Sequence, residues 1–388
     1  MLNGDVLRII LSFLRGENIV NAMCTCHSLY DMGLPILLGS PIRVEEDQIE
    51  QFATFILKDA ARYGPMLREI TLVDIARCSY FMDFEVANAK FCDILDHAIN
   101  IRAFRIRYSE LFPLCNMRSL VEKLFTLPTL QRLSFSFRHS PRHRFVESSL
   151  ANAVCPLTHL EFGDSPHYVS LPSSWFRALS RFSSTLKTLS IPLLPIDAIP
   201  GFPHITTIKT SIMAFPRYIP TSTIFRLFPN LKNIAGNGIL LSPLLVGLMD
   251  YDNWRSRNTQ DAERQPRWPE LCYVKMRIDE LCALGLGCPV RALHLVDRIC
   301  NTRPHYFRSE LPFGTLEREL ILGCRPQALK VSCELQADVC DLFQDILSNS
   351  PQLMHVEYDL SVVPTAPGTP SWIALLVNCL FFNGRSSS

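Results

Sequence analysis

A six-residue pattern, apolar-x-x-apolar-x-apolar, recurs along most of the chain. Its last two apolar positions are separated by one residue, as in a β-strand that buries one side. Strong copies begin at Leu67, Ile101, Leu130, Leu157, Leu186, Leu271, Val290 and Leu353, and weaker copies begin at Ile205, Leu231 and Pro326. The starts lie mostly about 26 to 36 residues apart, with two gaps near 19 and one near 40. This spacing indicates a solenoid repeat rather than a single sheet domain.

Helical patterns fill several of the intervals between these strands, over residues 117–125, 145–153, 173–182, 221–228 and 337–347. One strand and one helix per repeat, stacked in parallel, predict an α/β chain with a curved, solenoid-like parallel sheet. The arrangement resembles an irregular leucine-rich repeat over residues 67–369. At the ninth repeat position, where that family has Asn or Cys, this chain has Ile75, Ser109, Arg138 and Ser165. Regular coils are therefore in doubt, and an ordinary α/β domain with apolar strands is the alternative.

The first forty residues have a different pattern, which predicts three short helices. In the first helix, apolar residues at i, i+3, i+4 and i+7 cover more than one face. They are Val6, Leu7, Ile10, Leu11, Phe13 and Leu14. Gly16 ends this helix, a second helix covers residues 19–24, and a third begins at Cys26 and runs toward Leu38. A helix that is apolar on two sides is either buried within its own domain or keeps one side for a partner.

These N-terminal residues resemble the F-box. The positions that match the family pattern are Leu2, Asp5, Val6, Leu7, Ile10, Phe13, Leu14, Ile19 and Cys26. Two positions depart from it, because Asn3 replaces a Pro and Leu37-Leu38 replace a closing Leu-Trp. The resemblance implies docking on the Skp-type adaptor of a cullin–RING (SCF-type) ubiquitin ligase. It places adaptor contacts at Leu2, Val6, Leu7, Ile10, Phe13, Leu14 and Ile19.

The combination of an F-box with irregular leucine-rich repeats is similar to the large F-box-like sets of mushroom-forming fungi. It implies a non-catalytic substrate receptor that binds a protein target on its repeat surface. The alternative is a leucine-rich-repeat scaffold with no ligase role, whose N-terminal helices merely cap the first coil. An adaptor site requires that some apolar surface of the first helix stay exposed, whereas a cap would bury it.

Three further segments complete the predicted organisation. Residues 41–66 are a transition, with a short strand at 42–44 and a helix at 49–60. Residues 250–270 are polar and nearly free of apolar periodicity, which predicts an exposed insertion in the repeat. Residues 370–388 are expected to form an apolar capping helix and a frayed tail.

Composition excludes several classes of protein. With 388 residues, 48% of them hydrophobic and 19% charged, the chain can bury a large core. The net charge of +1 favours neither nucleic acid nor a membrane surface as the main partner. The 14 cysteines form no Cys-x-x-Cys pair, and the nearest approach to a metal motif is Cys24-x-Cys26-His27. Buried free thiols, and hence an intracellular location in the cytoplasm or the nucleus, are expected.

No catalytic constellation stands out in the sequence. It has no phosphate-binding glycine motif, no His-Glu-x-x-His and no Gly-x-Ser-x-Gly, so neither an enzyme activity nor a metal or cofactor is expected. A basic run from Arg138 to Arg144 follows a predicted strand, which places it in a loop. It has no interleaved aromatic residues for base stacking, so a solvated loop is the simpler interpretation.

The outward positions of the predicted strands suggest where a target would bind. Basic residues outnumber acidic ones in the middle of that set, and clustered cations can hold carboxylates or phosphates. The hypothesis is an acidic or phosphorylated target segment held by Arg105, Arg107, Arg132, Lys275 and Arg277. The alternative is that these are ordinary solvated residues of the strands.

Overall fold

The computed structural model divides the chain into two compact units. Unit 1 comprises residues 1–214 and 226–231, and unit 2 comprises residues 215–225 and 232–388. The structure describes residues 4–14, 16–73, 84–107, 118–136, 144–163, 173–194, 201–211, 220–236, 256–258, 260, 268–277, 280–281, 284–296, 321–334, 346 and 348–361. Within these ranges, no helix is both long enough and apolar enough to cross a membrane.

Three helices open unit 1, as the apolar spacing predicted: α1 Gly4–Phe13, α2 Glu17–Met23 and α3 His27–Gly39. Gly16 separates the first two and has a φ of 51°, a conformation that glycine adopts without strain. Both α1 and α2 pack on α3, which also contacts the 3-10 turn Gly64–Met66. The N-terminal helices therefore belong to the same compact unit as the first strands.

Strands and helices alternate through the rest of unit 1. The strands are β1 Pro41–Glu45, β2 Glu69–Val73, β3 Ala103–Arg107, β4 Arg132–Ser136, β5 His159–Phe162, β6 Thr188–Leu193 and β7 Thr207–Ser211. The helices are α4 Ile49–Lys58, α5 Ala60–Tyr63, α6 Phe84–His97, α7 Arg118–Thr126, α8 Arg144–Asn152 and α9 Ser173–Leu179. Short 3-10 helices cover Glu46–Gln48 and Ser180–Phe182. Helix α10, Thr221–Leu227, has its residues 221–225 in unit 2 and its residues 226–227 in unit 1.

The described part of unit 2 contains five strands: β8 Asn233–Ala235, β9 Leu271–Met276, β10 Val290–Val296, β11 Ala328–Glu334 and β12 His355–Ser361. In both units, every strand pair given by the register is parallel, and neighbours follow the order of the chain. The prediction of an α/β chain with parallel strands is confirmed.

The apolar positions of the six-residue pattern form the core. In β3 and β4, for example, Phe104 pairs in register with Leu133 and Ile106 with Phe135, and all four side chains are buried. Several of the buried side chains are aromatic and contact one another. Phe135 stacks on Phe162 with centroids 5.9 Å apart, and Phe162 contacts Trp175 at 5.3 Å. The alternation that predicted half-buried strands is therefore also what aligns the core from strand to strand.

A backbone ladder holds successive strands in register. The N–H groups of Arg102 and Ala103 both donate to the carbonyl of Arg68, and those of Gln131 and Arg132 both donate to the carbonyl of Arg102. The same two-to-one pattern recurs before β5, β6, β7, β9 and β12. The backbone N–H groups in the turn before each of these strands are therefore paired with main-chain carbonyls.

Four expectations need correction or fall outside the described residues. Strand β1 pairs in parallel with β2, so the segment predicted as a transition already belongs to the sheet. The polar insertion at 250–270 is not wholly exposed, because Asn258 and Trp268 are buried. The Oδ1 atom of Asn258 accepts a 2.8 Å hydrogen bond from the first backbone N–H of α10, and Trp268 packs against Phe225. The helix predicted at 337–347 lies almost entirely outside the described residues, and the C-terminal capping helix lies wholly outside them.

Candidate functional site

A group of apolar side chains on α1 and α2 remains exposed. Phe13 is 80% exposed and Ile9 59%, and Val6, Ile10 and Val20 each expose more than two-fifths of their surface. We call these five residues the N-terminal apolar face. In α1, Val6, Ile9, Ile10 and Phe13 follow helical i, i+3, i+4 and i+7 spacing, so they share one side of the helix. The expectation that apolar surface stays exposed on the first helix is met.

The opposite side of the same helices is packed. Leu11 is 2% exposed, and Ile19, Met23, Leu34 and Leu38 form the remainder of this small core. At Gly33, in the middle of α3, an added Cβ would collide with the Met23 side chain, so α2 and α3 approach closely there. The helices therefore have their own interior, and the N-terminal apolar face is the surface that this interior does not use.

The predicted adaptor contacts fall into four groups. Val6, Ile10 and Phe13 are exposed, Leu7 and Leu14 are half-buried, Ile19 is buried, and Leu2 lies outside the described residues. The placement of Ile19 at a binding surface is therefore wrong for this chain, because its side chain fills the space between the helices. Sequence analysis also missed Ile9 and Val20. The helical spacing from Val6 could have identified Ile9, whereas nothing local distinguished Val20 from Ile19.

The same helices also carry exposed polar residues, and two thiols lie near them in the chain. Asp5, Arg8 and Glu17 are exposed beside the apolar positions. Cys24 and Cys26, in the turn between α2 and α3, are free and exposed, which corrects the expectation of buried thiols there. Cys155, Cys288 and Cys324 are buried as expected. Among the described residues, no group of three His, Cys, Asp or Glu side chains could hold a metal ion.

The outward face of the first strands carries part of the predicted target site. Glu69 on β2 forms ion pairs with two guanidinium groups, that of Arg105 on β3 at 3.2 Å and that of Arg132 on β4 at 3.0 Å. The Glu69 side chain is only 13% exposed, whereas both arginines remain more than a third exposed. Arg107, two residues beyond Arg105, is exposed at the end of β3. The three predicted arginines thus lie on neighbouring strands, and one carboxylate is shared by two of them.

The next strand carries a histidine that lies close to two of the cationic side chains. Burial lowers the pKa of His159 on β5, and the positive charges of Arg132 and Lys187 lower it further. Alongside, the Ser134 hydroxyl donates a 2.9 Å hydrogen bond to Glu161. The acidic groups here are therefore already engaged by neighbours, while the cationic groups still reach solvent.

The other two predicted target residues lie in unit 2. Lys275 is a half-buried outward residue of β9, and Arg277 follows that strand. The backbone N–H of Arg277 donates to the buried carboxylate of Glu280 at 3.2 Å. The basic run from Arg138 lies outside the described residues, except for Arg144 at the start of α8.

Comparisons with known proteins add little. No protein-family model matches the chain, and no curated protein matches it. One solved structure that resembles it is a Bacteroides fragilis protein, determined as a structural genomics target. The two are 10% identical, the match covers 85% of this chain and 76% of the other, and the TM-score is 0.36. A likeness of that size supports no conclusion about function.

Proposed function

We propose that this protein is the substrate-receptor subunit of a cullin–RING ubiquitin ligase. The N-terminal apolar face docks on a Skp-type adaptor, and the outward surface of a leucine-rich-repeat-like solenoid binds a protein target. Ubiquitin transfer is carried out by other subunits. The observation that carries this proposal is the exposure of one apolar side of α1, on helices whose other side already forms a packed core.

Exposed apolar residues clustered on one helix face favour a protein partner. Scattered apolar residues are common on surfaces, but a contiguous patch with a polar rim is typical of interaction sites. Anchors at i, i+3, i+4 and i+7 are the pattern by which an amphipathic helix enters a groove. The alternative, a scaffold with a purely capping N-terminus, offers no reason for Phe13 to remain 80% exposed.

The target surface in this proposal is cationic. Arg105, Arg107 and Arg132 on unit 1 would hold an acidic or phosphorylated segment, and Lys275 and Arg277 would offer cations on unit 2. Glu69 binds one terminal nitrogen of Arg105 and one of Arg132. A guanidinium has five N–H donors, so each arginine keeps donors for a ligand while Glu69 limits its rotation. Glu69 therefore orients the pair rather than simply cancelling its charge.

The docking half of the proposal is tested by direct binding of the full chain to a purified Skp-type adaptor, measured by surface plasmon resonance. Replacing an aromatic anchor at the centre of an interface costs about 2 to 4 kcal/mol. Phe13→Asp should therefore weaken binding roughly 30- to 900-fold. The matched control is Val154→Asp. Val154 is also apolar and 62% exposed, but it lies before β5 and should leave the affinity unchanged.

Two results would count against docking through α1. One is no measurable binding of the wild-type chain to any Skp-type adaptor tested. The other is equal weakening by Phe13→Asp and Val154→Asp. The target half is tested separately, by comparing the proteins recovered with wild type and with Arg105→Glu, Arg107→Glu, Arg132→Glu. Loss of targets with adaptor binding intact supports the cationic surface, and an unchanged set of targets argues against it.

A further inference from the structure

Two alanines stand side by side on the outward face of unit 2. Ala292 on β10 pairs in register with Ala328 on β11, and both are partly exposed. On one side, Ala292 pairs with Tyr273 of β9, and on the other, Ala328 pairs with His355 of β12. Neighbouring strands lie about 4.8 Å apart, so this row places Tyr273 and His355 roughly 14 Å from each other. Because alanine side chains are shorter than these two, we infer a shallow depression between them, which we call the alanine floor.

The next outward row provides one wall of the depression. It runs Lys275, His294, Lys330 and Glu357 across the same four strands. His294 is fixed by both of its ring nitrogens. Nδ1 lies 3.1 Å from the hydroxyl of Tyr273, and Nε2 lies 3.1 Å from the hydroxyl of Ser332. Hydroxyl groups donate as well as accept, so both neutral and protonated imidazole can keep these two hydrogen bonds.

Positive charge predominates along this wall. Lys330 forms a 2.5 Å ion pair with Glu357, and His294 and His355 are close enough to help lower the pKa of that carboxyl group. With neutral histidines, two lysines and one glutamate leave a net charge of +1. The groups that face His294 from neighbouring strands are Tyr273, Lys275, Lys330 and Glu357.

We propose that the alanine floor binds a carboxylate side chain of an acidic protein segment, which the ammonium groups of Lys275 and Lys330 in the neighbouring row attract. The depression is open and shallow, whereas sites for free small molecules usually bury most of the ligand. A side chain carried on a polypeptide obtains the rest of its binding energy from the surrounding strands. Nucleic acid is less suited, because single-stranded bases require several stacking platforms and the floor has one, Tyr273.

The geometry predicts opposite effects for two neutralising changes at one ion pair. Glu357→Gln should strengthen binding, because it removes the competing carboxylate beside Lys330. Lys330→Gln should weaken binding, because it removes a cation that a ligand carboxylate would contact. A merely structural ion pair would give the same sign for both, since either change breaks it. Ala292→Leu tests the floor itself, because it fills the depression without altering charge.

The test uses the full chain and a fluorescein-labelled hexaglutamate peptide, with hexaglutamine as the uncharged control, followed by fluorescence anisotropy. At pH 7.5, wild type should bind hexaglutamate at least about tenfold more tightly than hexaglutamine, because only the carboxylates are attracted to the two lysines. At pH 7.5, Glu357→Gln should gain about threefold or more, and Lys330→Gln and Ala292→Leu should each lose as much. Arg118→Gln, on α7 of unit 1, is the matched control and should change little, because Arg118 is an exposed cation that belongs to neither proposed target surface.

Several outcomes would overturn the inference. They are no binding of hexaglutamate at pH 7.5, weakening by Glu357→Gln, no loss with Ala292→Leu, or an equal loss with Arg118→Gln. Tighter binding of a single-stranded oligonucleotide at the same mutation-sensitive residues would identify a different class of partner and likewise reject the proposal. The inference rests on the target half of the proposed function, for which it locates a site on unit 2, and it does not depend on adaptor docking. If Phe13→Asp fails to weaken adaptor binding, the inference about the alanine floor is unaffected. If the alanine floor fails to bind hexaglutamate, the adaptor-docking proposal is unaffected.

Discussion

Replacing Phe135 by Ala tests whether the ring series in unit 1 supports the fold. Phe135 is fully buried in β4 and lies in register between Ile106 and Phe162. Its ring is inclined by only 15° to that of Phe162. Deleting a buried Phe side chain removes its transfer free energy and leaves a cavity, at a cost of about 3 to 5 kcal/mol. Because domains are stable by about 5 to 15 kcal/mol, this is a large share of the total.

The assay is urea denaturation followed by circular dichroism and by tryptophan fluorescence. Trp175 contacts Phe162, so it reports on the same part of the core. Phe13→Ala is the matched control, since it removes an equal side chain that is 80% exposed, and it should shift stability by less than about 0.5 kcal/mol. The double variant Phe135→Ala, Phe162→Ala should show coupling of about 0.5 to 1.5 kcal/mol from the stacked pair.

A cost below about 1 kcal/mol for Phe135→Ala would refute the packing argument, because no burial-based estimate is that small for a phenylalanine. Equal destabilisation by Phe13→Ala would refute the assignment of α1's outer side as free surface. If the wild-type chain unfolds in urea without a cooperative transition, the strands of unit 1 do not form a common core.

Three further experiments test the reactivity of two thiols, the capping of α10 and the close packing at Gly64. In thiol labelling by maleimide at pH 8, followed by mass spectrometry, exposed Cys24 should react quickly. Cys155 should react only after unfolding, because burial raises its pKa to about 12 and keeps it protonated and covered. Asn258→Ala should cost about 1 to 3 kcal/mol in urea denaturation by leaving the first N–H of α10 unpaired, and Asn258→Asp should restore part of that loss. Gly64→Ala should lower stability by about 1 to 3 kcal/mol in the same assay, because the added Cβ would lie 2.6 Å from His97 at the end of α6. The matched control is Gly39→Ala, which should not change stability, because the nearest atom to its added Cβ is 3.9 Å away.

The strands could be predicted from sequence because their signal is local. Each strand segment has apolar residues at every second position. Leu189 and Ile191, for example, are both buried and identify β6 before any partner strand is known. Parallel order followed from the repeated spacing. Strand β1 was separated from the sheet because a single short apolar segment, without a preceding copy of the six-residue pattern, does not reveal that it pairs with β2.

The candidate sites were harder to predict because they depend on neighbours that the sequence does not reveal. Arg105 and Arg132 were correctly placed on the outward side, but their shared partner Glu69 emerges only once three strands are in register. The same holds for the alanine floor. Ala292 and Ala328 lie 36 positions apart, and nothing in either segment indicates that they are adjacent.

The N-terminal helices show the same limit in a different form. The F-box-like pattern located the apolar helix and most of its exposed residues, but it could not fix the helix rotation. A rotation of one residue is 100°, enough to exchange buried and exposed positions. That is why Ile19 is in the core while the adjacent Val20 is on the surface.

The two surfaces of unit 1 differ in physical character, and this makes their roles separable. Contact through Phe13 and Ile9 would be driven by burial of apolar area, which depends little on ionic strength. Contact through Arg105 and Arg132 would be ionic, and salt screens exposed charges beyond about 10 Å at 0.1 M. Under the proposed function, the chain would therefore hold an adaptor at nearly constant strength, while its binding of an acidic target would vary with salt and with the target's charge. A receptor that must keep one partner and exchange the other needs that combination, whereas a scaffold that binds both partners permanently does not.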